Sequence, residues 1–206
     1  EEVSRGLGDV YKRQALARSQ SKLNIIPKEA GEKITQAAKV DIIDWKKLEK
    51  RTSIVGYPIL PLVEQLSEKV EGNFGQFCHW GATTQDIMDT ADVLQIRKGL
   101  ELLSKDLKSI SDALEKIVEY HIKTPMAGRT HLQHALPISF GYKASTWLSG
   151  IDRHHRRLEE IKKRIFNVSF FGAAGTLASL GEDNGLKTQS ILAEELDLNV
   201  PDVSWH

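Results

Sequence analysis

The sequence predicts an all-α fold: a small N-terminal domain of short helices, then the long helices of a central bundle, cut short at its far end. Three observations carry this. Val93, Ile96, Leu100, Leu103, Leu107, Ile110, Leu114 and Ile117 recur at alternating spacings of three and four, the seam of a helix that packs on other helices. Ala144, Trp147, Ile151, His154, Leu158, Ile161 and Ile165 repeat that spacing. No stretch within 15–75 reads as a strand.

Composition narrows the function classes. Lys+Arg and Asp+Glu are equal at 28 each, so no global field draws the chain to nucleic acid or an anionic membrane. No apolar run approaches the ~18 residues of a membrane span, and no signal peptide opens the chain. Cys78 is the single cysteine. It excludes an intrachain disulfide, fits a reducing compartment such as the cytoplasm, and leaves its neighbour His79 without a second thiol for a metal site. Neither metal nor cofactor is expected. The chain lacks an initiator Met and stops at Trp205-His206, as a piece of a longer protein would.

Residues 1–14 stand apart. Asp9-Val10-Tyr11-Lys12-Arg13-Gln14 resembles the translation of a transposase adapter used in sequencing libraries (GAT GTG TAT AAG AGA CAG). The segment shows no clear amphipathic period and joins abruptly to Ala15, so it reads as non-native read-through outside the fold. The alternative is an ordinary polar N-terminal arm.

A first domain is expected over 15–88. A short helical pattern runs from Ala15 to Leu23. Pro27 opens a second, with Ala30, Ile34, Ala37 and Ala38 on its apolar face. Asp41 reads as the cap of a third, carrying Ile42, Trp45 and Leu48. Gly56-Tyr57-Pro58 breaks it, and Pro61 opens a fourth with Leu62, Val63, Leu66 and Val70. The bundle domain is expected over 89–206. Its first long helix spans roughly 30 residues, about 45 Å at ~1.5 Å per residue, with no proline before Pro125. The second follows Pro137. His154 on its seam reads as a packing residue, and Arg153, His155, Arg156 and Arg157 as a solvated or intersubunit face. A glycine-rich stretch, Phe171-Gly172-Ala173-Ala174-Gly175-Thr176, lacks the Gly-Lys-Ser/Thr of a phosphate loop and the strand of a dinucleotide site. A further helix runs from Gly185 to Leu196.

Two polar segments fit no packing role. His79-Trp80-Gly81-Ala82-Thr83-Thr84-Gln85-Asp86 precedes the first long helix, where free N–H groups and hydroxyls can cradle a carboxylate. Asp86 could cap that helix or orient a neighbour, and capping is the simpler reading. Gly128-Arg129-Thr130-His131-Leu132-Gln133-His134-Ala135-Leu136-Pro137 reads as a turn-like loop joining the two long helices. Its polar groups could converge on a small ligand. Its histidines could equally do no more than bond backbone carbonyls.

Together the two segments resemble the signatures of the fumarase/aspartase superfamily, over roughly 15–206. That resemblance implies a homotetramer with a central helical bundle, active sites built from three subunits, and elimination or addition next to a carboxylate. Tyr57-Pro58-Ile59-Leu60-Pro61-Leu62-Val63, Leu132-Gln133-His134-Ala135, the glycine-rich stretch and the ending at Trp205-His206 are most similar to the 3-carboxy-cis,cis-muconate cycloisomerases. Adenylosuccinate lyases, the alternative, carry a catalytic His in the segment matching 57–63, where this chain has none. The resemblance implies His131 as the acid. Thr83, Thr84, Thr130 and Gln133 would hold the carboxylates of a di- or tricarboxylate, with Arg129 adding charge and His79 and Gln85 in the same binding set. The superfamily's basic serine, in a Gly-Ser-Ser loop absent here, would lie beyond His206, leaving this segment inactive alone. A non-catalytic helical scaffold remains the alternative of another class; it would need the seams but neither polar segment.

Overall fold

The computed structural model describes residues 2–181 and 183–206, with side chains from Gly8 onward. It is all-α with one small hairpin. The elements in order are α1 (Glu2–Lys22), α2 (Lys28–Ala37), α3 (Trp45–Val55), α4 (Ile59–Lys69), α5 (Thr84–Tyr120), β1 (Pro125–Thr130), β2 (Gln133–Ser139), α6 (Phe140–Ile165) and α7 (Asn184–Leu196). Short 3-10 turns lie at Val40–Ile42, Phe74–Phe77 and Ala178–Leu180. The chain divides into two compact units, Glu1–Ile96 with Phe166–His206, and Arg97–Ile165.

In the first unit α1 is apolar on opposite faces. Val10 and Ala17 pack in a buried cluster with Ile26, Ile34, Leu62 and Leu66. Ala15 and Leu16 pack in a second, with Val168, Phe170, Leu180 and Leu192. Gly31 lets α2 lie tight on α1: a Cβ there would sit 2.6 Å from that of Ser21. Arg18 and Lys22 reach Glu195 of α7 at 2.8 and 2.5 Å. These contacts attach 166–206 to the N-terminal helices, so the compact units do not follow a boundary near residue 88.

Residues 8–14, set aside as foreign on sequence grounds, continue α1 without a break. They bring two cations into the interior. Lys12 is fully buried and its ammonium donates to the backbone carbonyls of Asp86 and Ser169. Arg13 is equally buried; it donates Nη1 to the Asp9 carbonyl at 3.1 Å, while its Nε and Nη2 have no hydrogen-bond partner among the described residues. Burial pushes Lys12 down to about 7, against the pull of the Asp86 charge, and Arg13 down to about 10.

Two boundaries differ from expectation. Asp44 caps α3, its Oδ1 accepting the Lys47 N–H at 3.0 Å, and Asp41 belongs to the preceding 3-10 turn. The α5 helix has 37 residues, about 55 Å at ~1.5 Å per residue.

The second unit holds most of α5, the hairpin and α6. Gly141 passes so close to α5 that a Cβ would lie 2.8 Å from the Val118 carbonyl oxygen, and its N–H bonds the His121 carbonyl at 2.9 Å. His121 and Phe140 meet edge to face, ring centroids 4.9 Å apart. The seams stay half-open: Leu103 and Ile110 on α5 and Trp147 on α6 are 46%, 45% and 47% exposed. His154 lies outside the packed face, exposed and 3.2 Å from Arg157. No helix of the described residues is long and apolar enough to cross a membrane.

Candidate functional site

The polar segment before α5 is a turn closed at both ends. The Ala82 N–H donates to the His79 carbonyl at 3.3 Å. At the helix start the Asp86 carboxylate reaches back to the Thr83 N–H at 3.0 Å, the returning half of a capping box. Thr83 and Thr84 are half-buried and Gln85 is exposed. Gln85 donates its amide to Asp89 at 3.4 Å, and Trp205 donates its indole N–H to the same oxygen at 2.8 Å.

Capping is only part of what Asp86 does. It is fully buried, and its second function is to hold the glycine-rich stretch. The N–H groups of Phe171 and Gly172 donate to it at 2.8 and 3.0 Å, and the Ser169 hydroxyl at 3.3 Å. Thr90, one turn further along α5, exchanges two bonds with Ser169: its hydroxyl accepts the N–H at 3.0 Å and donates to the carbonyl at 3.1 Å. An Asp three residues after a Thr signals a cap in sequence; partners more than 80 residues away leave no local signal.

His79 is half-buried, and its Nδ1 is enclosed with no hydrogen-bond partner among the described residues. Burial pushes it down to about 4, helped by the nearby Arg13 and Lys12 cations. It therefore stands neutral at pH 7, able to accept or donate one hydrogen bond but not to supply a positive charge.

The segment expected as a simple loop is a β-hairpin. Thr130 pairs with Gln133 and Arg129 with His134, and a bulge follows between Ala127 and Arg129. Directly opposed residues share a face, so Thr130 and Gln133 occupy one face and Arg129 and His134 the other. His131 and Leu132 form the tip. Leu132 adopts φ 62° and is 98% exposed, a backbone state that costs most residues roughly 1 kcal/mol. Arg129, Thr130, His131 and Gln133 are all exposed. The strands were hidden in sequence because Gly128 and Pro137, both disfavoured within strands, interrupt them and most of their residues are exposed. Of the expected residues, then, His79, Thr83, Thr84 and Gln85 share one turn, and Arg129, Thr130, His131 and Gln133 share one hairpin tip.

A protein-family profile described as lyase matches residues 4–204. The chain belongs to this lyase family, the fumarase/aspartase superfamily. Among members of the superfamily it is 46% identical over 192 residues to trans-aconitate decarboxylase 1 of Mycosarcoma maydis, covering 93% of this chain and 39% of that protein. It is 39% identical over 195 residues to a 3-carboxy-cis,cis-muconate cycloisomerase of Pseudomonas aeruginosa, covering 93% and 42%. The crystal structure of a fumarate lyase from Mesorhizobium sp. BNC1 superposes with a TM-score of 0.94 at 55% identity, over all of this chain and 49% of that one. The chain thus spans about two fifths of the length of these curated superfamily relatives.

Proposed function

We propose that the intact protein is an elimination or cycloisomerisation enzyme acting on an unsaturated tricarboxylate, and that it interconverts 3-carboxy-cis,cis-muconate and its carboxymuconolactone. The observation that carries this reading is the hairpin tip: a cation, a hydroxyl, an imidazole and an amide exposed together on Arg129, Thr130, His131 and Gln133. A scaffold would gain nothing from them.

In the lactone-opening direction a base takes the proton next to a carboxylate, the ring C–O bond breaks, and the departing carboxylate is stabilised by an acid. In this reading His131 is that acid, because an imidazole can donate or accept a proton. Thr83, Thr84, Thr130 and Gln133 hold carboxylates by hydrogen bonds, and Arg129 supplies charge. His79, neutral and unpartnered at Nδ1, fits an uncharged contact. The base is not assigned to any residue of 1–206, and no cofactor enters.

The half-open seams support a homotetramer with sites shared between copies, and the lone free Cys78 fits work in the cytoplasm. Leu102, Leu103, Ile110 and Trp147 are between 45% and 67% exposed along α5 and α6, apolar surface that another long helix would cover.

A second reading draws on the 46% identity to a trans-aconitate decarboxylase. Trans-aconitate is also an unsaturated tricarboxylate, and the same anion-binding groups would serve loss of carbon dioxide. Adenylosuccinate cleavage is a third. The intact enzyme assayed on all three substrates decides: absorbance change with carboxymuconate supports the first, carbon dioxide from trans-aconitate replaces it with the second, and fumarate from adenylosuccinate with the third.

A further inference from the structure

Asp86 makes more contacts than a helix cap needs. Closing the first turn of α5 requires only the Thr83 N–H, yet three more donors from 169–172 converge on the same carboxylate. A carboxylate has about four lone-pair sites, and here each is filled. The two segments it joins also touch directly. A Cβ on Gly172 would lie 3.5 Å from the Gly81 carbonyl oxygen, and one on Gly81 would strike Leu180 at 2.8 Å.

His206 closes the same cluster from a third segment. Its side chain is 5% exposed, with Nε2 3.5 Å from the Asp86 carboxylate and Nδ1 3.0 Å from the Gly172 carbonyl. Phe171 meets both His206 and Trp205 edge to face, ring centroids 5.2 and 4.8 Å away. The conformation of Gly172, at φ 75°, is thereby gripped on both its N–H and its carbonyl.

We propose that Asp86 is a positioning residue that locks the Thr83–Thr84 turn to the Phe170–Thr176 stretch, with His206 as the clasp, so that groups meeting the substrate carboxylate keep one fixed spacing. This rests on the proposed carboxylate-binding role of Thr83 and Thr84. Asparagine at 86 keeps the shape but offers one acceptor oxygen and brings two donors into a site crowded with donors. The lock then opens at both ends at once.

The test uses Asp86→Asn and His206→Gln in the intact protein, with Leu66→Ala, buried in the other cluster, as a variant that loses stability alone. For Asp86→Asn we expect amide exchange at Thr83, Phe171 and Gly172 to quicken together by at least about tenfold. The KM for 3-carboxy-cis,cis-muconate should rise by about tenfold or more, and kcat should fall by less than KM rises. His206→Gln should shift the same quantities in the same direction by about threefold. Leu66→Ala should lower Tm and leave KM unchanged. Unchanged KM in a folded Asp86→Asn overturns the proposal. Should that variant not fold, unchanged KM and unchanged exchange at Gly172 in His206→Gln overturn it instead. An intact wild-type protein inactive on all three substrates defeats the proposed function and not the lock, which is then decided by amide exchange alone: separate rather than joint quickening at Thr83 and Gly172 overturns it.

Discussion

Trp205 donates its indole N–H to the Asp89 carboxylate at 2.8 Å, joining residues 116 positions apart, and the same oxygen accepts the Gln85 amide at 3.4 Å. The far end of the chain is therefore tied to the surface of α5, one turn beyond the Thr83–Thr84 turn. The Trp205 ring also packs edge to face on Phe171. Trp205→Phe keeps an aromatic contact and deletes the donor. A hydrogen bond to a charged acceptor contributes ~1.5–3 kcal/mol, less where one partner is wet. We expect a loss of about 1 kcal/mol, seen as a Tm drop of about 2–4 °C in a chain of this size. An unchanged Tm would show the bond contributes nothing net.

The buried cations of α1 work against the fold. Lys12 bonds two backbone carbonyls, and two of the Arg13 nitrogens have no hydrogen-bond partner among the described residues. Replacing buried charge by a well-packed apolar side chain is often neutral or stabilising by ~1–4 kcal/mol. Lys12→Met should raise stability within that range in urea unfolding at pH 6, where Lys12 is charged. A destabilised Lys12→Met would mark the ammonium as a native structural donor.

Both Lys12 and His79 shape the pH dependence, with the same sign. His79 sits at about 4 in the folded chain against 6.5 unfolded. Between those values the unfolded chain binds the extra proton, so its contribution is complete above 6.5 and is lost as pH falls through 4. Lys12 sits at about 7 against 10.5; its contribution is complete above 10.5 and is lost as pH falls towards 7. Stability should therefore climb in two windows, each by up to ~1.4 kcal/mol per pH unit. His79→Gln should flatten the acid window, and Lys12→Met the alkaline one. Because the Lys12 charge also depresses His79, Lys12→Met should move the acid limb upward in pH by a smaller amount than burial holds it down.

The helices were legible in the sequence where one physical rule dominated. The α5 and α6 seams repeat at 3-4 spacing over many turns, and no proline interrupts them, so period and length agreed. At α3 two aspartates precede Trp45, and local rules cannot choose between Asp41 and Asp44; the choice falls to Gln65, whose amide oxygen accepts the Asp44 N–H at 2.8 Å from α4. The hairpin was missed because pairing between 125–130 and 133–139 depends on register, while the segment's polar residues read as a loop. Of the candidate site, both polar segments were visible as clusters of chemistry without packing logic. The second role of Asp86 was not, since it depends on Phe171 and Gly172 arriving from 85 and 86 residues away.

The hairpin tip separates function from fold unusually well. His131 is exposed and makes no side-chain hydrogen bond or ion pair among the described residues, so its removal costs the isolated chain almost nothing. Surface substitutions away from caps and networks fall within about ±0.5 kcal/mol, and His131→Ala should leave Tm within about 2 °C of wild type. Removing a general acid, by contrast, costs about 10²–10⁴-fold in turnover. The two measurements together discriminate what either alone does not. Normal Tm with that loss in the intact enzyme assigns proton transfer to His131. Normal Tm with less than about a tenfold loss leaves it a binding contact and removes the acid assignment. A Tm drop of many degrees in the intact protein, with the isolated chain unaffected, would place His131 in a contact between copies.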